Sequence, residues 1–315
     1  MTDEAVAQKE GRKTSLRQLS SLVPIQTKGT KPPFYCVHGA GGNVLIFKAL
    51  ADYLGLDQPF YGFQAQGVDG KQPPLTRIED MAALYVKELR EFQPHGPYYI
   101  GGFSMGGEVA VEMAHQLLAV GETVGLLVLF DTFNPDRPIR NPKQISPESN
   151  GIAATVTVTQ PGKLTTLRRK AMGHVKRLSA MGPREQLDYI VSDARMRGNR
   201  VYLQATFKIA QNTGRSLPYS ILEQYLWECN LKAVYNYPPK VYPGRITLFR
   251  AVESLEEHPL DHPMSWGPLA GGGLDVHIIE GTHRLIDEPY VAEVVAKLEE
   301  CLEKAQAEAS GWAAY

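Results

Sequence analysis

A glycine-rich turn, Gly101–Gly107, constrains the fold of this chain more than any other segment. It reads Gly-Gly-Phe-Ser-Met-Gly-Gly, follows the apolar run Tyr98–Ile100 and precedes a helical pattern. The spacing is that of a G-x-S-x-G turn, in which a serine lies between a buried strand and a helix. A β-carbon at Gly102 or Gly106 would collide with the neighbouring strand or helix. The pattern predicts that Ser104 is a nucleophile at a helix N-terminus. The alternative is a turn serine without a catalytic role, and the other segments of the chain distinguish the two.

The segments around this turn predict an α/β fold with a mostly parallel, doubly wound sheet. Apolar runs alternate with segments of helical periodicity through residues 33–131, and the alternation resumes near residue 245. This order is typical of a sheet covered by helices on both faces, with functional residues at the carboxyl ends of the strands. The predicted strands are Phe34–Val37, Pro59–Phe63, Tyr98–Ile100, Val124–Phe130, Arg245–Arg250 and Leu274–Ile279.

The same patterns predict the domain organisation. Residues 1 to about 30 have no periodic apolar face and are predicted to be a flexible arm or linker. One domain is expected over residues 31–306, with a helical lid inserted at about 134–243, and residues 307–315 are expected to be a tail. Helices within the insertion are predicted near 163–180, 184–211 and 219–236.

Part of the predicted lid is strongly basic. Residues 163–200 contain ten Lys or Arg residues but three Asp or Glu residues. Such a segment is either a solvated helical face or a docking surface for an acidic partner.

Composition excludes several classes of function. A chain of 315 residues with 43% hydrophobic and 21% charged residues is typical of a soluble globular protein. Its formal net charge of -1 gives no overall attraction to nucleic acid or to an anionic membrane. The three cysteines lack C-x-x-C spacing, and no run has the length of a membrane span or the form of a signal peptide. We therefore expect a cytoplasmic protein with no bound metal or cofactor.

A serine nucleophile needs a base and an acid that orients that base. His283 follows the last predicted strand and completes the chain order serine, acid, histidine. Two residues are candidates for the acid. Asp131 ends the strand after the nucleophile strand, and Glu253 follows the strand Arg245–Arg250. The abrupt polar end of an apolar run favours Asp131.

Four other histidines are weaker candidates for the base. His277 lies within a predicted strand and is expected to be structural, whereas His38 is expected to make a supporting hydrogen bond beside the site. His258 and His262 lie in a proline-rich loop, where their spacing is weak evidence for a metal site.

The oxyanion hole is predicted to consist of two backbone N–H groups. The residue after the nucleophile, Met105, supplies one of them, and the loop after Gly39 supplies the other, from Ala40 or Gly41.

Five blocks together resemble the thioesterase family that forms the release domains of nonribosomal peptide and polyketide synthases. The resemblance implies an α/β-hydrolase fold, a helical lid, and an acid after the strand that follows the nucleophile strand, which favours Asp131 over Glu253. It also implies a thioester substrate on the phosphopantetheine arm of an acyl carrier or peptidyl carrier protein. The blocks are His38–Gly42, Tyr61–Gly67, Gly101–Gly107, Asp131–Thr132 and Gly281–His283.

The expected function is therefore chain release through an acyl-Ser104 intermediate, by hydrolysis or by macrocyclisation. The alternatives are a discrete editing or acyl-CoA thioesterase, a carboxylesterase, and a non-catalytic binding protein with a hydrolase fold. An intact set of Ser104, Asp131 and His283 argues against the last of these.

Overall fold

The computed structural model describes residues 21–133, 198–199, 201–257 and 266–312. These residues form one seven-stranded sheet. The strands are β1 (Leu22–Gln26), β2 (Phe34–Val37), β3 (Phe60–Phe63), β4 (Tyr98–Phe103), β5 (Val124–Phe130), β6 (Ile246–Ala251) and β7 (Leu274–Ile279). Their spatial order is β1-β3-β2-β4-β5-β6-β7. Strand β1 is antiparallel to β3, and all the other neighbouring strands are parallel, as the sequence predicts for the six later strands.

Helices connect most of these strands. The α-helices are α1 (Lys48–Tyr53), α2 (Ile78–Phe92), α3 (Met105–Ala119), α4 (Tyr219–Asn236), α5 (Val252–Glu257) and α6 (Val291–Trp312). Helices α2 and α3 pack in the apolar cluster on one face of the sheet, and α1 and α6 pack in the cluster on the other face. Two faces covered in this way make the protein a doubly wound α/β fold, as predicted.

The central strands show why the sheet has two cores. In β5, Leu127 and Leu129 belong to one apolar cluster, whereas Val128 and Phe130 belong to the other. Successive side chains of a strand point to opposite faces, so a strand covered on both faces must be apolar at every position. Each parallel strand also ends at the same edge of the sheet, and this brings the residues after β2, β4, β5 and β7 together.

The N-terminal prediction is wrong for residues 22–26, which form an ordered edge strand rather than a flexible arm. Strand β1 pairs with β3, and the buried Glu88 carboxylate accepts hydrogen bonds of 2.9 Å from the backbone N–H groups of Ser21 and Leu22. Pro24 is tolerated because an edge strand has no partner on one side. The strand is too short for its alternation to be visible in the sequence. Residues 1–20 lie outside the described part of the chain.

The C-terminal prediction is also wrong, because α6 continues to Trp312 through residues assigned to a tail. Residues 306–309 contain no buried side chain, so the apolar periodicity stops at Ala305. The helix continues over 306–309, where Gln, Ala, Glu and Ala are strong helix formers that need no packing partner. Similarly, the predicted loop after β6 begins with the short helix α5.

The predicted lid falls largely on residues that are not described. By its contacts the chain divides into two compact units, Met1–Arg137 with Ile209–Tyr315, and Pro138–Lys208. The helix predicted at 219–236 is confirmed as α4, which belongs to the first unit. Of the segment 184–211, residues 198–199 and 201–211 are described and are helical, and 163–180 lies outside the described residues. None of the described helices has the length and apolar character needed to cross a membrane.

Candidate active site

The turn between β4 and α3 holds Ser104 in a strained conformation at the carboxyl edge of the sheet. Its φ is 55°, a region that non-glycine residues occupy at a cost of about 1–3 kcal/mol. A β-carbon at Gly102 would stand 2.1 Å from the carbonyl oxygen of Gly106, and one at Gly106 would stand 2.4 Å from that of Val37. The prediction that a β-carbon at either glycine would collide with its neighbours is therefore confirmed. The close approach of β4, α3 and β2 fixes the serine at the start of the helix.

His283 lies within hydrogen-bond distance of both of its predicted partners. The Ser104 hydroxyl lies 3.0 Å from His283 Nε2, and His283 Nδ1 lies 2.7 Å from Asp131 Oδ2. Nδ1–H donates to the carboxylate, so Nε2 is free to accept the serine proton. The rings of Phe103 and Phe133 lie 5.1 and 5.8 Å from the imidazole, which limits its movement.

Asp131 is fully buried at the end of β5, and its carboxylate is held by groups that the sequence analysis missed. The backbone N–H of Ala251 donates to Oδ1 over 3.1 Å, and the Ser254 hydroxyl donates to Oδ2 over 2.6 Å. Ser254 lies in α5, which the sequence analysis assigned to a loop. These hydrogen bonds fix the orientation of the carboxylate, so that a lone pair of Oδ2 faces His283.

Arg250 is a second residue that the sequence analysis missed. Its guanidinium is buried, lies 3.7 Å from Asp131 Oδ1, donates to the Ser254 carbonyl over 3.0 Å and stacks 4.2 Å above the Phe133 ring. Burial lowers the pKa of Arg250, and the Asp131 carboxylate opposes that shift. A signal was present in the sequence, since Arg250 is the single charged residue of the strand Ile-Thr-Leu-Phe-Arg-Ala and lies beside the carboxyl edge.

Glu253, the alternative acid, does not face the histidine. Its side chain is exposed at the start of α5, and its backbone N–H bonds to the Gly281 carbonyl. Among the described residues, Asp131 is the carboxylate that contacts His283 Nδ1.

The oxyanion loop is oriented by a buried histidine. His38 Nδ1–H donates to the Gly39 carbonyl over 2.6 Å, and Tyr85 O–H donates to His38 Nε2 over 2.9 Å. Burial lowers the pKa of His38 to about 4, although the hydrogen bond to Gly39 opposes the shift. His38 is therefore neutral and has both ring nitrogens occupied, so it supports the loop, as the sequence analysis predicts.

This arrangement directs one backbone N–H group away from His38. The Gly39 carbonyl also accepts the Gly42 N–H over 3.0 Å, and a planar trans peptide points its N–H opposite to its carbonyl. The Ala40 N–H thus faces away from both donors, and within the described residues it donates to no protein group. Asn230 of α4 fixes the next peptide by donating to the Ala40 carbonyl over 2.8 Å. Met105 is the first residue of α3, so its N–H has no partner within the helix.

A cavity of about 470 Å³ opens over these groups. Ala40, Ser104 and His283 line it, together with three residues of α4. A larger cavity, of about 760 Å³, lies at the amino ends of β5, β6 and β7 and is lined by none of Ser104, Asp131 and His283. The cavity over Ser104 is therefore the candidate active site.

Another histidine of the described residues, His277, takes no part in this arrangement. His277 stacks on Phe249 at 4.9 Å, and burial lowers its pKa. His258 and His262 lie outside the described residues. No cluster of three or more metal-binding side chains occurs within the described ranges.

Comparison with known proteins assigns the chain to a family. The family model "Thioesterase domain" matches residues 32–301, which include all the site residues named above. The chain belongs to the thioesterase domain family. Its class of enzyme is therefore thioester hydrolase, and the resemblance stated from the sequence is confirmed.

The relatives found by sequence are synthetases much longer than this chain. A dimodular nonribosomal peptide synthase of Bacillus subtilis (strain 168) is 31% identical over 301 residues, which are 91% of this chain and 11% of the synthase. Malpibaldin synthetase of Mortierella alpina is 28% identical over 281 residues, or 89% of this chain and 4% of the synthetase. This thioesterase-family chain thus spans a small part of the length of the relatives it matches.

Solved structures confirm the fold. The NocB thioesterase domain, in a covalent complex with a fluorophosphonate nocardicin G analog, superposes with a TM-score of 0.55 at 20% identity. The match covers 87% of this chain and 96% of that domain. The Vlm2 thioesterase domain bound with a dodecadepsipeptide gives a TM-score of 0.54 at 20% identity, covering 90% and 98%. The thioesterase fold seen here is accordingly the α/β-hydrolase fold, as predicted.

Proposed function

We propose that the chain is a serine thioesterase that releases an acyl, polyketide or peptidyl chain from a phosphopantetheinylated acyl carrier or peptidyl carrier protein. The observation that most directly supports this proposal is the pair of consecutive hydrogen bonds from Ser104 to His283 and from His283 to Asp131. The peptide synthase among the relatives supports a carrier-bound substrate. The cavity over Ser104 offers room for the chain to be released.

In the first step, Ser104 Oγ attacks the carbonyl carbon of the thioester and its proton moves to His283 Nε2. Asp131 stabilises the resulting imidazolium, and the N–H groups of Ala40 and Met105 stabilise the oxyanion. The carbon–sulfur bond then breaks, and His283 returns the proton to the departing pantetheine sulfur. The product of this step is an ester between the acyl chain and Ser104.

In the second step, a nucleophile attacks that ester while His283 accepts its proton. Water gives a free acid, and an internal hydroxyl or amine of the chain gives a macrocycle. In both cases the carbon–oxygen bond to Ser104 breaks, and the serine recovers its proton from His283.

Covalent labelling tests the nucleophile. Incubation with a serine-reactive fluorophosphonate is expected to give one mass adduct on Ser104, and Ser104→Ala should give none. Absence of labelling in the folded wild-type protein would contradict the proposal and favour a non-catalytic binding protein. Turnover of acyl-pantetheine thioesters, acyl-CoA and simple esters then separates carrier release from the acyl-CoA thioesterase and carboxylesterase alternatives.

A matched pair of variants tests the acid. Asp131→Asn is expected to lower kcat by about a thousandfold or more, because the amide favours the wrong histidine tautomer. Glu253→Gln should stay within about threefold of wild type, since Glu253 does not contact the base and surface changes have small effects. Equal losses in both variants would argue against the assignment of Asp131.

The basic segment 163–200, which is either a solvated face or a docking surface for the carrier, lies outside the described residues except for 198–199, so its test rests on charge alone. Reversing the charges of Arg168, Arg169 and Lys170 is expected to weaken turnover of carrier-bound substrate and to spare small thioester mimics. Equal loss on both substrates would exclude this docking role.

A further inference from the structure

One side of helix α4 presents a carboxylate between two aromatic rings. Tyr219, Glu223 and Trp227 are each four residues apart, so they follow one another along one side of the helix. All three line the cavity that also contains Ser104 and His283. The core side of the same helix consists of other residues, namely Leu222, Leu226, Cys229, Asn230, Ala233 and Val234.

The two aromatic side chains are unusually open for residues that line a cavity. Tyr219 is 55% exposed and Trp227 is 51% exposed. Large aromatic surfaces gain the most from contact with a partner, because their apolar area is removed from water and their π-faces attract cations. Their exposure beside Ser104 therefore indicates a surface that a substrate covers.

Glu223 gives the cavity a negative charge, and none of the described basic side chains pairs with it. Its Oε1 lies 3.7 Å from the position that a β-carbon on Gly41 would occupy, which places the carboxylate beside the oxyanion loop. Arg284, which also lines the cavity, forms an ion pair with Asp287. In the described part of the chain, no basic side chain lies within 4.0 Å of the Glu223 carboxylate.

An uncompensated carboxylate beside an oxyanion hole opposes the charge that develops on the substrate. A cation held by Glu223 removes that penalty, because opposite charges at short range attract and the local net charge falls to zero. Aromatic rings on both sides of the carboxylate suit a cation as well, since an ammonium or guanidinium group binds over aromatic faces.

We propose that the acyl chain accepted by this site carries a cationic group, an ammonium or a guanidinium, that binds between Tyr219 and Trp227 against Glu223. The proposal rests on the proposed function for the identity of the reaction, but the cation site itself does not depend on turnover. The family assignment does not specify the acyl chain, and this proposal adds a substrate class.

Two thioesters that differ by one charged group test this selectivity. Nα-acetyl-lysyl and Nα-acetyl-norleucyl N-acetylcysteamine thioesters differ by the terminal ammonium. The wild-type protein is expected to favour the lysyl thioester in kcat/KM by roughly tenfold, which corresponds to about 1.4 kcal/mol. Glu223→Gln should bring the ratio close to one, Glu223→Lys should invert it, and Trp227→Leu should reduce it.

Glu228→Gln is the matched control. It makes the same change of charge on the same helix, but Glu228 does not line the cavity, so the ratio should stay at the wild-type value. A wild-type ratio near one, or a ratio that Glu223→Gln leaves unchanged, would overturn the proposal.

A binding measurement separates this proposal from the proposed function. The amide analogues of the two thioesters, in which N–H replaces the sulfur, are tested for protection of Ser104 against fluorophosphonate labelling. Stronger protection by the lysyl amide, lost in Glu223→Gln, supports the cation site even if neither thioester turns over. Absence of turnover would count against the proposed function alone. Equal protection by both amides contradicts the cation site whatever the turnover shows.

Discussion

At the scale of single residues, Arg250 is a buried cation beside Asp131 on the neighbouring strand. Its guanidinium lies 3.7 Å from Asp131 Oδ1 and on the side of the carboxylate away from His283 Nδ1, which contacts Oδ2. We infer that Arg250 is a positioning residue that holds the Asp131 carboxylate in its orientation toward His283.

Replacing Arg250 tests this role through turnover. In Arg250→Met the Asp131 carboxylate loses a neighbouring cation, and the Ser254 carbonyl loses a donor, so the carboxylate is held less firmly toward His283. We expect kcat to fall by about tenfold or more with a smaller change in KM, because the misaligned base acts in the chemical step. Arg250→Lys should restore part of the lost kcat.

Arg245→Met is the control, because Arg245 pairs with Asp275 on the surface at the amino end of β6. Its kcat should match that of wild type. An unchanged kcat in Arg250→Met, despite a folded protein, would reduce Arg250 to a packing residue.

The predicted catalytic residues were visible in the sequence, whereas the side chains that hold them in place were not. Ser104, Asp131 and His283 each follow a strand and carry their own chemistry, so pattern and chain order predicted them together. Ser254 reaches Asp131 only because α5 folds back over the end of β5, and its hydroxyl carries no local signal. Contacts between side chains from distant segments depend on the fold and cannot be read from spacing.

At the scale of elements, a buried asparagine of helix α4 holds the predicted oxyanion loop. Asn230 is 1% exposed and donates to the Ala40 carbonyl from Nδ2. In Asn230→Ala the peptide that precedes Gly41 loses this anchor, and the Ala40 N–H loses its fixed direction. We expect kcat to fall by about tenfold or more with a smaller change in KM, because an oxyanion donor acts in the transition state.

Asn236→Ala provides the comparison for that variant. Asn236 lies on the same helix, is exposed and donates only to the Lys232 carbonyl, so its loss should leave kcat within about twofold of wild type. If the Asn230 variant instead raised KM alone, the loop would be positioned by other contacts.

The edge strand β1 gives a second prediction at this scale. Two backbone N–H groups at its start converge on Glu88 Oε2, and a neutral amide accepts such bonds more weakly than a carboxylate. Glu88→Gln is expected to lower the free energy of unfolding by about 1–3 kcal/mol, measured by urea denaturation at neutral pH. Glu91→Gln, on the exposed side of α2, should change it by less than about 0.5 kcal/mol.

Strand β1 and the end of α6 also show why the sequence misplaced the ends of the domain. The interior elements were predicted because burial on one or two faces imposes a period on their side chains. Strand β1 has five residues and one covered side, and residues 306–309 of α6 contain no buried side chain, so neither segment has such a period. Pairing to β3 and helix propensity determine these elements instead.

At the scale of the whole molecule, a buried charged network joins α3 to the chain after α4. Glu112 lies in α3 and accepts hydrogen bonds from Tyr237 O–H over 2.6 Å and from Lys240 Nζ over 2.9 Å. Burial by itself raises the pKa of Glu112, but the bonds from Tyr237, Gln116 and Lys240 outweigh it and hold the pKa below the ordinary value of 4.5. The folded protein therefore binds a proton at this site less readily than the unfolded chain does.

The sign of the resulting pH dependence follows from that difference. Above pH 5 the carboxylate is ionised in both states, and its contribution to stability is fully present. As the pH falls below 4.5 the unfolded chain takes up the proton first, so this contribution is lost progressively until the folded state is protonated as well. Glu112→Gln is expected to destabilise the protein by about 1–2 kcal/mol at pH 7, and by less at pH 3.5. Urea denaturation of both proteins at the two pH values measures this, and a deficit that is the same at both would show that the ionised form of Glu112 contributes nothing to the fold.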